Sequence, residues 1–348
     1  MLFDSIYELS EAFLRRNLLM DASNIRENVT IRDVYEAIQR ISSMVNKTPL
    51  VHSIGLSENI GRNVYLKLEN VHDIGAFKVR GAANKILSLS NSQKKKGIST
   101  FSTGNHGLAV TYVAKKLGIN VVVCVSNNVP KVKLEFLRKL GAQIEMHGES
   151  QDEASERCLQ LEKQLGLTAI PPFDGPHIIA GHGTIGLGLI EEIPDLIDVL
   201  IPLSGGGLLS GIGLTLKSID TDVNVIGTTI NHSAVMYESL KQGHPVKLPE
   251  GQTLADSLLG GIGLNNQYTF RLVKSNIDNI FTISENEIAD SMVYMLKEHR
   301  MLIEGAAATS IAPVLNNRIP YRKGSVVAII RGNNVDLSVI QQLLKINT

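Results

Sequence analysis

Charge of one sign is missing from this sequence: lysine plus arginine and aspartate plus glutamate both total 34, for a formal net charge of zero. Without a cationic excess nothing steers the chain toward nucleic acid or anionic lipid. The run Lys94-Lys95-Lys96, next to Gly97, reads as a solvated helix end rather than a phosphate-tracking patch. Cysteine is scarce as well. Cys124 and Cys158 make neither a CxxC pair nor a disulfide framework, so a reducing cytoplasm is the expected compartment, and Cys124, inside an apolar strand pattern, is expected to be inert core. No apolar run is long enough to span a bilayer, so no membrane partner is expected. Asp4, Glu8 and Glu11 interrupt the apolar residues of the N-terminus, which argues against a secretory signal. The histidines lack metal-ligand spacing, and no metal is expected.

What is present is an alternation. With 348 residues the chain exceeds one small core, and two lobes around a shared interface are expected. Strand-like runs lie at 64–69, 121–125, 143–146, 199–203, 223–228 and 325–330. Helical patterns fall between them, at 104–117, 132–140, 152–165, 208–218, 285–300 and 304–315, and another follows the N-cap signal at Thr30. Strands and helices alternating at this spacing predict an α/β fold: open, twisted, mainly parallel sheets flanked by helices. An amphipathic stretch from Ser5 to Leu19 suits a helical N-terminal extension. The turn-rich Pro171-Pro172-Phe173-Asp174-Gly175-Pro176 is a plausible crossing between domains.

Chemistry concentrates in a few short stretches. In Gly75-Ala76-Phe77-Lys78-Val79-Arg80-Gly81-Ala82, a lysine stands just inside a helix start between two apolar residues. Apolar walls and the positive end of a helix lower an amine's pKa and make it a nucleophile able to form a Schiff base. Taken alone, the stretch reads better as a lysine bound for solvent at a helix start; two glycine-rich loops downstream reverse that reading. Ser204-Gly205-Gly206-Gly207-Leu208 follows a strand and opens a helix, so its backbone N–H groups can converge on one phosphate. Ser102-Thr103-Gly104-Asn105-His106-Gly107 also opens a helix, and its hydroxyls, amides and amide side chain can bind a carboxylate and a ring oxygen. His106 is read as fixing its loop by hydrogen bonds rather than as a general base. Gly181-His182-Gly183-Thr184-Ile185-Gly186 matches GxGxxG, yet lacks a full strand before it and is taken as a decoy, a helix start packed closely on the sheet.

These stretches, with Ile179-Ala180-Gly181-His182-Gly183-Thr184 and a closing Gly332-Asn333-Asn334-Val335-Asp336, resemble in their order the fold-type-II pyridoxal-phosphate enzymes of the threonine dehydratase and serine racemase family. The segment 256–264 is similar to the dehydratases attached to ectoine and hydroxyectoine utilisation. The resemblance implies a tryptophan synthase β-like fold with pyridoxal 5'-phosphate between two domains: 31–90 with 175–348 as the large cofactor-binding domain, 91–174 as the small one, and 1–30 as an extension. It further implies that Lys78 is the Schiff-base lysine and the catalytic base, that Phe77 lies against the cofactor ring and that Asn105 bonds its phenolic oxygen. Ser204, Gly205, Gly206, Gly207 and Leu208 would hold the phosphate; Ser102, Thr103, Gly104, Asn105 and His106 would receive the substrate carboxylate. The implied activity is a lyase that turns a small β-hydroxy amino acid such as threonine or serine into a 2-oxo acid and ammonia. A homodimer is implied too.

Three departures from the family pattern matter. Arg331 stands where a serine or cysteine usually faces the ring nitrogen. A guanidinium cannot take up the ring proton; Arg331 either points at that nitrogen and leaves the ring a weaker electron sink, or turns to a carboxylate of the protein or of a substrate. Thr103 replaces the serine that racemases of this family use, which lowers the expectation of racemisation. Thr228-Thr229-Ile230-Asn231 offers no acid where serine racemases hold a cation, and the regulatory domain of long biosynthetic threonine dehydratases is not expected after Asp336. A racemase, a β-replacement synthase, a dehydratase of a hydroxyectoine-derived or 3-hydroxyaspartate-type substrate, a nicotinamide-dependent dehydrogenase using Gly181–Gly186 and a non-catalytic binding protein are the alternatives.

Overall fold

The computed structural model describes residues 28–346 except Thr103, Asn128, Pro130 and Ser150; the Ser5–Leu19 pattern lies outside the described residues. Ten strands are described, β1 (Leu50–His52), β2 (Val64–Leu68), β3 (Ile98–Thr100), β4 (Val121–Val125), β5 (Gln143–Met146), β6 (Thr168–Ala169), β7 (Leu196–Pro202), β8 (Asn224–Ile230), β9 (Asn279–Ile283) and β10 (Ser325–Ile330). They form a six-stranded sheet of order β1-β2-β10-β7-β8-β9 and a four-stranded sheet of order β5-β4-β3-β6. Only β1 runs antiparallel, against β2. The α/β expectation of mainly parallel sheets flanked by helices therefore holds.

Why the large sheet is parallel can be read from β10. Its sequence, Ser-Val-Val-Ala-Ile-Ile, is buried at all six positions, the signature of a strand covered on both faces. Val326, Ala328 and Ile330 pack with Ile288, Met292 and Met295 of the helix Glu285–His299. Val327 and Ile329, pointing the other way, pack with Ile185 and Leu189 of the helix Pro176–Glu192 and with Leu209, Ile212 and Leu216 of the helix Gly207–Ile219. The small sheet repeats the scheme. Ile98, Val121, Val123 and Val125 face the helices Lys78–Leu87 and Asn105–Leu117, whereas Cys124 faces Ala154, Cys158 and Leu161 of the helix Gln151–Leu165. Both cysteines are buried and free.

Local signals were accurate where they were strong. Thr30 caps the helix Ile31–Ile41, its amide and hydroxyl both donating to Asp33 Oδ2 at 2.7 Å. The lysine run closes the helix Asn91–Lys96, which has no buried residue. No helix among the described residues is long and apolar enough to cross a membrane.

Two expectations are corrected. The stretch Gly181–Gly186 is not a helix start; it is the middle of the helix Pro176–Glu192, where Ile185 faces the sheet. There it is wedged between two other helices: a Cβ on Gly181 would lie 2.6 Å from the Arg80 carbonyl oxygen, and one on Gly183 2.9 Å from Thr215 Oγ1. The glycines let three helix backbones approach. Residues 304–315, read as one helix, are two short turns, Gly305–Ala308 and Ala312–Leu315. The Thr309 and Ser310 hydroxyls donate back to the carbonyls of Ala306 and Ala307, and Pro313 has no N–H with which to continue the ladder.

Candidate active site

The candidate residues collect where strands end and helices begin. β3 delivers Ser102 and Gly104 to the helix Asn105–Leu117, β7 delivers Ser204–Gly206 to the helix Gly207–Ile219, and β10 runs directly into Arg331. The carboxyl ends of parallel strands are where open α/β sheets bind ligands, because unpaired helix N–H groups converge there.

Lys78 is the first residue of the helix Lys78–Leu87, and two features fix it. Two residues on, Arg80 is anchored inside the protein, with Nε donating to Glu69 Oε2 at 2.6 Å and Nη2 to Oε1 at 2.9 Å. Just before it, the Phe77 amide donates to the Arg331 carbonyl and Ala76 bridges Gly332, which ties the lysine to the end of β10. The Lys78 amine donates to the Pro172 carbonyl at 2.5 Å. Burial of the amine, reinforced by the nearby Arg331 charge and opposed by Glu304, pulls its pKa down to about 7. Such an amine is neutral in large part at physiological pH, as a nucleophile or base must be.

The glycine loop is held from the same side. Gly206 adopts φ +84°, a left-handed conformation that side chains resist. A Cβ on Gly205 would lie 2.6 Å from the Phe173 ring. Phe173 follows the carbonyl that receives Lys78, so the loop and the lysine share one wall. Asp174 is spent elsewhere, accepting from the amides of Gln267, Tyr268 and Thr269 at 2.7, 2.9 and 2.9 Å.

Asn105 opens its helix and is buried. Gly107 lets the chain turn there, since a Cβ on it would lie 1.8 Å from the Ser102 carbonyl oxygen. The neighbouring His106 points Nε2 at the Ile170 carbonyl, 3.1 Å away. Burial and the Lys78 charge pull its pKa down to about 3, so it stays neutral and holds its loop. Phe77 is buried, with Lys78 Nζ 5.2 Å and Arg331 Cζ 5.3 Å from its ring centroid and the His182 ring 4.7 Å away. Thr103 lies outside the described residues.

Arg331 turns to a protein carboxylate. Its Nε stands 3.0 Å from Glu304 Oε1, both groups nearly fully buried. Glu304 escaped the sequence reading, where it was only the start of a helix. A single acid between Met301-Leu302-Ile303 and Gly305-Ala306-Ala307-Ala308 is the signal that could have found it, since an isolated carboxylate among apolar and small residues must be paired or functional. Its Oε2 accepts from Asn105 Nδ2 at 2.9 Å, and Asn105 Oδ1 in turn accepts from Asn334 Nδ2 at 2.7 Å.

The cluster so formed is rich in buried polar atoms that make no hydrogen bond. Among the described residues ten buried side-chain atoms make no hydrogen bond; three are His106 Nδ1 and both His182 ring nitrogens, and two more, Glu304 Oε1 and Arg331 Nε, meet only as the ion pair just described. Buried polar groups are ordinarily satisfied, so their concentration beside a depressed lysine and a glycine loop marks a site built for a polar ligand. Its parts suit an aldehyde-bearing aromatic phosphate: an amine for the aldehyde, a helix N-terminus for the phosphate, an amide for a ring oxygen.

Comparison with known proteins decides the matter. Residues 41–332 match the model of the pyridoxal-phosphate dependent enzyme family. This chain belongs to that family. It is 36% identical to the L-threonine ammonia-lyase of Thermotoga maritima, over 91% of this chain and 78% of that protein. It is 33% identical to the catabolic L-threonine dehydratase of Escherichia coli K12, over 90% and 96%. Among solved structures it is similar to maize serine racemase, with a TM-score of 0.84 and 28% identity over 92% of this chain and 98% of that one. As a member of this family the protein uses pyridoxal phosphate, and its fold is fold type II.

Proposed function

We propose that this protein is a pyridoxal-phosphate-dependent ammonia-lyase, a dehydratase that releases ammonia and a 2-oxo acid from a small β-hydroxy amino acid such as threonine or serine. The observation that carries the reading is the Lys78 amine, lowered to about 7 and set beside a glycine-lined helix start. The cofactor supplies an aldehyde that condenses with amines and a conjugated ring that spreads the charge left when a proton departs from the substrate's α-carbon. Lys78 Nζ takes that proton. Residues 204–208 hold the phosphate, Phe77 covers the ring, and Asn105 Nδ2 donates to the ring oxygen with the hydrogen that Glu304 does not use. Ser102, Thr103, Gly104 and the amides of Asn105 and His106 bind the substrate carboxylate. In this reading residues 31–90 and 175–348 carry the cofactor, and 91–174 present the carboxylate-binding segment.

The Arg331 pairing narrows the substrate. A lone buried guanidinium would select a second carboxylate, but Glu304 already balances the charge of Arg331. That supports a neutral β-substituent over a dicarboxylic one such as 3-hydroxyaspartate. The same reading takes the enzyme as a cytoplasmic homodimer, in keeping with two buried, free thiols.

The test is direct. Purified protein loaded with pyridoxal phosphate is expected to show a visible absorption band that changes on adding threonine or serine, with stoichiometric release of 2-oxo acid and ammonia. Lys78→Ala is expected to lose the lysine-linked band and to lower turnover by at least about a thousandfold. Recovery of the amino acid as its mirror image, without oxo acid, would sink the lyase reading.

A further inference from the structure

An amide side chain looks the same from both ends, and what it offers a ligand depends on which end faces it. Asn105 is such a case. Its carbonyl and amino groups differ by one heavy atom, yet one accepts and the other donates. Three neighbours decide its orientation. Asn334 Nδ2 donates to the Ile74 backbone carbonyl at 2.8 Å, a group that can only accept, which fixes the orientation of Asn334. The second hydrogen of that same amino group goes to Asn105 Oδ1 at 2.7 Å, so the Asn105 carbonyl must face Asn334. Asn105 Nδ2 then faces Glu304 Oε2 at 2.9 Å, where an ionised carboxylate can only accept. The links from Ile74 through Asn334 to Asn105 each have one permitted polarity, and the series begins at a backbone carbonyl that cannot rotate; the link to Glu304 has one while that carboxyl is ionised.

The geometry points to Asn334 and Glu304 as positioning residues that lock the Asn105 amide with its amino end toward the cofactor, a relay that none of the reaction's own groups requires. The inference rests on the reading of Asn105 as the residue facing the ring oxygen. It also gives Arg331 a task. Burial raises the Glu304 carboxyl above its ordinary value, while Arg331 and the Asn105 hydrogen bond act the other way. Arg331 thus favours the ionised form, the one form that accepts without offering a hydrogen. Asn334 is held in turn through the segment that closes the site, where the Asn333 amide donates to the Gly75 carbonyl at 3.0 Å.

Three substitutions at one position separate polarity from shape. Asn334→Asp keeps size and geometry but replaces the donor by an acceptor, which sets it against both Ile74 and Asn105. Asn334→Ala removes the donor, and Asn334→Ser shortens the side chain but can still donate. Each protein is loaded with pyridoxal phosphate; cofactor affinity, the visible spectrum and its pH midpoint are read, and circular dichroism confirms folding. The expected order of damage is Asp, then Ala, then Ser, with cofactor affinity falling about tenfold or more for Asp and about threefold for Ala, and the pH midpoint moving in the same order. A role in packing alone predicts the isosteric Asp to be mildest; that result, or equal effects of Ala and Ser, overturns the inference. Should Asn334→Asp fail to fold, the order of Ala and Ser decides. If the wild type takes up no cofactor on Lys78, it is the functional reading that fails; if it does and the order is absent, the relay alone fails.

Discussion

Two buried glutamates, each beside an arginine, behave in opposite ways. Glu69 accepts from Arg80 at 2.6 and 2.9 Å, from Thr48 Oγ1 at 2.6 Å, and lies 3.1 Å from His72 Nε2. Burial alone would raise its carboxyl, but the Arg80 charge and the hydrogen bonds from His72 and Arg80 hold it well below the usual carboxylate range. Glu304 has an arginine nitrogen somewhat farther off, 3.0 Å away, and Arg331 Nε and Glu304 Oε1 both lack a hydrogen bond. Its carboxyl is pushed up by burial, and Asp256 adds to that. Glu69 is a finished joint beneath the lysine helix. Glu304 is incompletely satisfied, and incompletely satisfied buried charge is found where a ligand or a reaction completes it.

The largest break in this contrast is expected at Glu69. Glu69→Ala leaves the Arg80 guanidinium buried without its partner and should cost about 3–5 kcal/mol of stability, read by denaturant unfolding of the cofactor-loaded protein. An unchanged midpoint would mean that Glu69 is no more structural than Glu304. At the other pair, Arg331→Met removes the charge but keeps much of the bulk. Glu304 can take up a proton, so stability should change by no more than about 1 kcal/mol, while kcat/KM should fall by roughly ten- to a hundredfold. A collapse in stability with kcat/KM of the surviving protein intact would reverse the assignment.

Acid and base sharpen the same contrast, with smaller effects. Glu69 has a depressed folded pKa, so the stability it contributes is present above the ordinary carboxylate value and is lost as pH falls through the folded value. Glu304 has a raised folded pKa, so its folded form holds the proton more tightly and stability is lost as pH rises from the ordinary value through the folded one. Glu304→Gln should therefore gain on the wild type as pH rises above the ordinary carboxylate value, by on the order of 2 °C in Tm. A gap that is flat with pH would show that Glu304 does not titrate in the folded protein.

How much of this was legible beforehand depends on whether a residue's task shows in its neighbours along the chain. The interior strands were, because β-branched runs such as Val121–Val125 and Ser325–Ile330 carry their burial in their composition. β1 and β6, three and two residues long, are too short for any period. The helix Pro176–Glu192 was hidden because it is buried from Ile178 to Leu187; an element covered on all sides has no polar face, and glycines chosen for close approach imitate a nucleotide loop. Lys78, Asn105 and Ser204–Leu208 stood out because each needs a helix start, which leaves capping and glycine signals. The pairing of Arg331 with Glu304 could not be read, since nothing in either stretch names a partner 27 positions away. The preference for a neutral β-substituent over a second carboxylate rests on that contact alone.

β10 is the last described strand to be synthesised, yet it takes a central place, hydrogen-bonded to β2 on one side and β7 on the other. Until it arrives, the two halves of the large sheet have no seam, and a chain emerging from the ribosome must keep a slot open for most of its length. The residue that follows it reaches Phe77, so the pocket closes in the same event that completes the sheet. Capture of the vitamin would thus certify a finished molecule: a chain halted before position 325 should be unable to turn yellow.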